Sequence, residues 1–131
     1  MLYGIYGSHT PETCPVFVPK YARVFVRISE IDPERLAGRY GIRRIEARYH
    51  SALEHTFLWV VEADDPHAIE RFAVDTGLAS FNTLEIVPVR TFAETVEGLK
   101  RRHRLGGGQA VPHSPGAEPP ERSQEPGREY E

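Results

Sequence analysis

Between Ile42 and His50 the residue types alternate, with Ile45, Ala47 and Tyr49 at one parity and Arg44, Glu46, Arg48 and His50 at the other. A period of two predicts a half-buried strand. After a short connection over 51–54, His55 to Ala63 reads HTFLWVVEA and is apolar at both parities. That pattern predicts a central strand covered on both faces, paired in a hairpin with the strand before it. LYGIYG, from Leu2 to Gly7, predicts a short aromatic strand, and Leu84 to Val89 a fourth. Lys20 to Ser29 suits a strand by composition but also carries Ala22, Phe25, Val26 and Ser29 on a helical stripe; we read a helix over 20–40, broken near Ile31. Asp65-Pro66 supplies a cap and first turn for a helix whose inner stripe is Ile69, Phe72, Ala73 and Thr76, ended by Gly77. Thr91-x-x-Glu94 is a capping-box pattern opening a last helix, with Phe92, Val96 and Leu99 at helical spacing and Lys100 to Arg104 at its negative end.

The element order is β-α-β-β-α-β plus a C-terminal helix, which is the α+β, ferredoxin-like split plan with an antiparallel sheet in the order 4-1-3-2. One layer of helices covers one sheet face. The two-faced strand from His55 to Ala63 then asks for cover from elsewhere, and a second copy of the chain is the simplest source. The expected architecture is therefore a dimeric α/β barrel.

Composition changes this picture at the C-terminus. Gly106 to Glu131 is rich in glycine and proline, holds five glutamates against two arginines, and has almost no large apolar residue. Such a segment buries too little surface to offset its ordering entropy. The expected organisation is a folded domain over 1–105 and a disordered acidic tail over 106–131. The tail accounts for the whole formal charge of −3, so the folded part is neutral and does not read as a nucleic-acid binder. A single cysteine, Cys14, excludes an intrachain disulfide and any zinc module built on two or more cysteines. No apolar run approaches the length of a membrane span, and the first residues lack the pattern of a secretory signal. The expected location is cytoplasmic, with no membrane or nucleic-acid partner.

The candidate chemistry lies near the first strand's end. SHTPETCPVFVP follows it, with prolines at 11, 15 and 19 stiffening a loop that holds His9, Glu12 and Cys14. A thiolate and an imidazole are good ligands for a borderline metal, and the same pair could instead make an activated thiol. The bland alternative is a loop histidine satisfying carbonyls beside a small buried hydrophobe. His50 and His55 flank the hairpin connection. If residue 50 opposes 55, both imidazoles project the same way. If 49 opposes 55, the apolar sets coincide better, so His55 is the stronger site residue. With strands one and three antiparallel neighbours, His9 falls beside His55. His9, Cys14 and His55, with His50 or Glu12 as possible extra ligands, then form a candidate site for zinc, nickel or copper. Glu62, Asp64 and Asp65 read as structural, and His67 and His103 as solvated. His113 falls in the tail.

The runs SHTPETCP, YHSALEHTFLWVVEADDPHAIERF and LEIVPV resemble small uncharacterised prokaryotic proteins of the dimeric α/β-barrel, ferredoxin-like superfamily, especially those with a THxPExCP opening and a PEHTxFFVVEAD third strand. The layout is also similar to a nickel-binding branch of such proteins. The resemblance covers about residues 1–95. His9, Pro11, Glu12, Cys14, Pro15, Glu54 and His55 match its motifs, while Ser51-Ala52-Leu53 departs from a proline common in relatives. It implies the fold and a metal site, and no catalytic assignment.

Three functions follow as alternatives: a homo-oligomeric divalent-metal-binding protein, with or without catalysis; a metal-free barrel enzyme of monooxygenase or isomerase type holding a small organic molecule, with His55, Tyr6 or Tyr49 as acid–base groups; or a non-catalytic oligomeric subunit. The expected partners are the chain itself and a small molecule. The sequence leaves open whether the protein is an enzyme.

Overall fold

A computed structural model of the protein describes residues 1–106. The acidic tail expected over 106–131 lies, from residue 107 on, outside the described residues. The chain divides into two compact units, Met1–Phe92 and a second beginning at Ala93.

In the first unit, strands β1 (Leu2–Ser8), β2 (Ile42–Ser51), β3 (Thr56–Ala63) and β4 (Thr83–Val89) form one antiparallel sheet in the order β2-β3-β1-β4. This is the expected ferredoxin-like order. Helices α1 (Pro19–Ser29), α2 (Pro33–Arg35) and α3 (Pro66–Thr76) join the strands, with α2 running on into a π turn at Leu36–Tyr40. The helix read over 20–40 is thus two pieces. Pro33 cannot continue a preceding helix, and the Asp32 carboxylate starts the second piece by accepting from the Arg35 N–H at 2.8 Å. Asp65 caps α3 in the same way, accepting from the Ala68 N–H at 2.8 Å. The buried face of α1 is rotated from the expected stripe: Val24 and Ile28 are buried, while Val26 points outward. From Ala93 on, the second unit holds helix α4 (Phe92–His103), the expected extra helix, whose first residue closes the first unit and whose last turn is basic.

The core lies between the helices and one face of the sheet. Tyr3 and Ile5 of β1 and Phe57, Trp59, Val61 and Ala63 of β3 meet Val24, Ile28, Ile69 and Phe72 from the helices. At Gly7 the Phe57 ring occupies the space a side chain would need: a Cβ there would sit 2.1 Å from its Cε1.

Two expectations are corrected here. First, the sheet is open, not a closed barrel, because β2 and β4 are free edges at opposite ends of the strand order. The expected dimer goes with it. The second face of β3 does not call for a second sheet, since Leu58 and Val60 are half-buried by their own cross-strand neighbours, among them Tyr6, Gly4 and Ala47. An antiparallel sheet with one packed face and one open face is an ordinary solution.

Second, the β2–β3 register is neither of the two considered. Ser51 pairs with Thr56 and His50 with Phe57, and β2 carries irregularities between Ile42 and Arg44 and between Ile45 and Ala47. Each bulge shifts the parity by one residue. Ile45 therefore keeps the core side opposite Val61, while Tyr49 moves to the open face, where it is 69% exposed. Arg48 and His50 turn toward the helices instead. The Arg48 guanidinium lies 5.5 Å from the Trp59 ring centroid. His50 stacks on Phe57 at 5.2 Å, meets the edge of Phe25 at 5.1 Å, and its Nε2 accepts from the Trp59 indole N–H at 3.0 Å. Burial, with smaller contributions from the charges of Arg48 and His9, pushes the His50 pKa below its ordinary value.

Two outcomes are expected. Gly7→Ala forces the Phe57 ring to move and should cost about 1–3 kcal/mol in urea denaturation, whereas Gly38→Ala, with open space around its added Cβ, should be close to neutral. The His50 shift favours the neutral imidazole in the folded state. Its stabilising contribution is complete above the unfolded histidine pKa of about 6.5 and is lost as pH falls from there through the lower folded value. Urea stability measured in chelator on either side of this window should fall on acidification, and His50→Gln, whose amide oxygen still accepts from Trp59, should flatten that slope.

Candidate metal centre

Three strand ends meet at one edge of the sheet. Ser8 closes β1 and pairs with both Thr56, which opens β3, and Thr83, which opens β4. The residues just beyond are His9, His55 and Asn82. The β1–β3 ladder continues one step further, as the His9 N–H donates to the His55 carbonyl at 3.0 Å. This fixes the two histidine backbones against each other, and their rings lie 5.5 Å apart in an edge-on arrangement.

The loop after His9 brings in the thiol. Pro11–Thr13 forms a single 3-10 turn, and the Cys14 N–H closes it on the Pro11 carbonyl at 3.3 Å. The Cys14 carbonyl accepts from Phe17 and Val18 at 3.0 and 2.9 Å, and the Thr13 hydroxyl reaches the Phe81 carbonyl at 3.5 Å. Cys14 is left with 1% of its surface exposed. Its Sγ and one nitrogen from each of His9 and His55 all lie within 4.8 Å of one another.

The electrostatics of the cluster follow from one amide. Asn82 is 8% exposed, and its Nδ2 donates to the Leu78 carbonyl at 3.0 Å. That bond turns its Oδ1 toward His9, whose Nδ1–H donates to it at 2.9 Å. The proton of neutral His9 is therefore held on Nδ1, and Nε2 carries the free lone pair. His9 Nε2 is buried with no hydrogen-bond partner, and so is Nδ1 of His55. A buried nitrogen without a partner costs roughly 1–3 kcal/mol. Two such atoms, on histidines grouped with a buried thiol, are costly unless something binds them. Backbone strain adds to this, because His55 adopts φ 54°, in the left-handed region that glycine and asparagine enter most easily.

The residue types and spacing fit a metal ion. Donors on a tetrahedral ion with bonds of about 2.0–2.3 Å lie about 3.3–3.8 Å apart, so atoms all within 4.8 Å of one another need only a small inward adjustment. The Asn82 contact is of the kind that orients a histidine for metal binding. Around them, Phe81 lies 6.1 Å from His9 and stacks on Tyr21 at 4.5 Å, giving the site an apolar wall.

The other residues singled out from sequence fall elsewhere. His50 is outside the group of three and is engaged with Trp59. Glu12 is exposed on the 3-10 turn; its carboxyl is held below its ordinary pKa by its own backbone N–H, then by the Thr10 hydroxyl, with His55 contributing a smaller attraction. His67 is exposed and 3.4 Å from Glu70. Asp64 pairs with Arg43 at 2.8 Å. Asn82 was not legible beforehand, since an asparagine just before a strand looks like any turn residue. Its burial, and not its type, marks it.

No helix among the described residues is long and apolar enough to cross a membrane. No curated protein matches the chain. Residues 23–103 match the family described as Domain of unknown function (DUF3303), a segment that includes His55 and Asn82 and begins after His9 and Cys14. This replaces the resemblance drawn from the sequence: neither the match nor the open sheet supports a dimeric α/β barrel or a nickel-binding branch. The match spans more than half of the 131 residues, and the chain belongs to the DUF3303 family.

Proposed function

We propose that the protein binds one divalent transition-metal ion through His9 Nε2, Cys14 Sγ and His55 Nδ1. The observation that carries this reading is the pair of buried, unpartnered imidazole nitrogens beside a buried thiol. Two neutral imidazoles and one thiolate form a borderline-soft donor set, which suits zinc, nickel or copper and not magnesium or calcium. Zinc fits best, because it accepts mixed nitrogen and sulfur ligands without imposing a planar geometry. Three protein donors leave one tetrahedral position to water or to the Glu12 carboxylate from the same loop. The ion, when bound, supplies Lewis acidity and lowers the thiol and water pKa values at that position.

The chain's own contribution is preorganisation. The Asn82 amide holds His9 in the tautomer with a free Nε2, and the β1–β3 ladder holds the two histidines together before any ion arrives. The stiff proline-bounded loop limits what Cys14 loses on closing.

Cobalt titration of chelator-treated protein tests the reading. A thiolate-to-cobalt charge-transfer band should appear at one equivalent, and zinc should displace it. Cys14→Ser should abolish the band, and His9→Ala or His55→Ala should weaken zinc binding by more than about 100-fold. Asn82→Ala should weaken it by about 10- to 100-fold, the range for loss of an orienting partner. His67→Ala should leave it unchanged. Affinity should fall below about pH 6 as protons compete for the imidazoles. Absence of the band, with a denaturation midpoint unmoved by excess zinc, would sink the proposal.

A further inference from the structure

The open face of the sheet carries a second site, independent of the metal cluster. One cross-strand row runs Tyr49, Leu58, Tyr6, Glu85 over β2, β3, β1 and β4. The next row toward the same sheet end is hydroxylic: Ser8 pairs with Thr56 on one side and Thr83 on the other. Together they line a groove of about 510 Å³, within the range of about 300–1,000 Å³ usual for small-molecule sites.

The side chains give this groove a definite chemistry. Tyr6 and Tyr49 are 46% and 69% exposed on a face where most neighbours are small or half-buried. The Tyr6 ring lies over Gly4, where a Cβ would come within 3.1 Å of Cε2, so glycine lets the ring lean along its own strand. That leaves space above the hydroxyl row. Glu85 is the one formally charged side chain lining the groove, and it has no hydrogen-bond or ion-pair partner among the described residues. An unpaired carboxylate beside two tyrosines and four hydroxyls, those of Ser51, Thr56, Ser8 and Thr83, is complementary to a cation with a flat apolar body. The rings offer their negative faces to it, the carboxylate its charge, and the hydroxyls accept its N–H groups.

We propose that this groove binds a small organic monocation of the aryl-alkylamine class. The ammonium sits at Glu85 and the hydroxyl row, and the aromatic body lies across Leu58 between Tyr6 and Tyr49. The site needs no metal ion, so it stands or falls apart from the reading of His9, Cys14 and His55.

The test is an amide chemical-shift titration of the full chain in chelator. The probes share one ring and differ in charge: tyramine, neutral p-cresol and anionic p-hydroxyphenylacetate. Tyramine should shift the amides of Tyr6, Leu58 and Glu85 and bind roughly two- to fivefold more tightly than p-cresol, the range set by a solvent-exposed charge pair, with the anion weakest. That preference should shrink as salt rises. Glu85→Gln should bring the tyramine and p-cresol affinities together, and Glu85→Lys should reverse the order in favour of the anion. Tyr49→Ala should weaken tyramine and p-cresol alike. Retained amide dispersion shows that each variant is folded. Equal affinities for the three probes in the unmodified protein, a preference that survives Glu85→Gln, or shifts outside the groove would overturn the proposal. So would shifts of the same amides on simple dilution, which would assign this face to a second copy of the chain.

Discussion

The pairing of β1 with β3 is the interaction on which the rest of this molecule depends. β1 is the inner strand between β3 and β4, so its register fixes both neighbours. Side-chain direction alternates along a strand, and a slip of one residue would exchange the two faces of the sheet. The register is held from both sides. Tyr3 and Ile5 are buried with Trp59 and Val61, and the Phe57 ring fills the space that a side chain at Gly7 would take. With that ladder set, His9 and His55 become the next residues past its end, and the His9 N–H to His55 carbonyl bond carries the register into the cluster.

Packing and chemistry are linked in this molecule through burial. The loop after β1 carries Cys14 into the protein's interior, and the segment before β4 carries Asn82 there. Neither polar group reaches solvent, so each must be accounted for inside. Asn82 is satisfied twice, by His9 and by the Leu78 carbonyl. One ring nitrogen of His9 and one of His55 remain unsatisfied, on the two residues that cluster with the thiol. A sheet that merely needed a filled corner would place apolar side chains there. Polar nitrogens left unpaired in a buried corner cost stability, and they are the feature on which the metal-site proposal rests.

The bulges of β2 show how the same rules produce a structural histidine a short distance away. By turning Arg48 and His50 toward the helices, they place a basic group over Trp59 and an imidazole between Phe25 and Phe57. His50 is engaged by the indole, and partial desolvation of its ring lowers its pKa. His9 and His55 differ from it in each having a buried ring nitrogen without a partner. The same parity change sends Tyr49 to the open face, so a local irregularity in an edge strand shapes both the core and the groove behind it.

Local pattern was enough to determine the element order and the antiparallel placement of His9 beside His55. Period-two alternation, Asp-Pro helix starts and Gly77 act over a few residues and needed no tertiary information. The approach of Cys14 was foreshadowed by the stiff proline loop, and its burial by the alternative reading of it as a small hydrophobe. What only the folded chain decided depends on non-local contacts. The bulges at 42–44 and 45–47 reversed the face of Tyr49 and His50, because strand register answers to packing across the sheet and not to sequence alternation alone. Leu58 and Val60, read as evidence for a closed barrel, are covered by their neighbours on an open sheet. Asn82 acquired its role only when the start of β4 was laid beside the end of β1, since a hydrogen bond between residues 73 apart in the chain leaves no local trace in either segment.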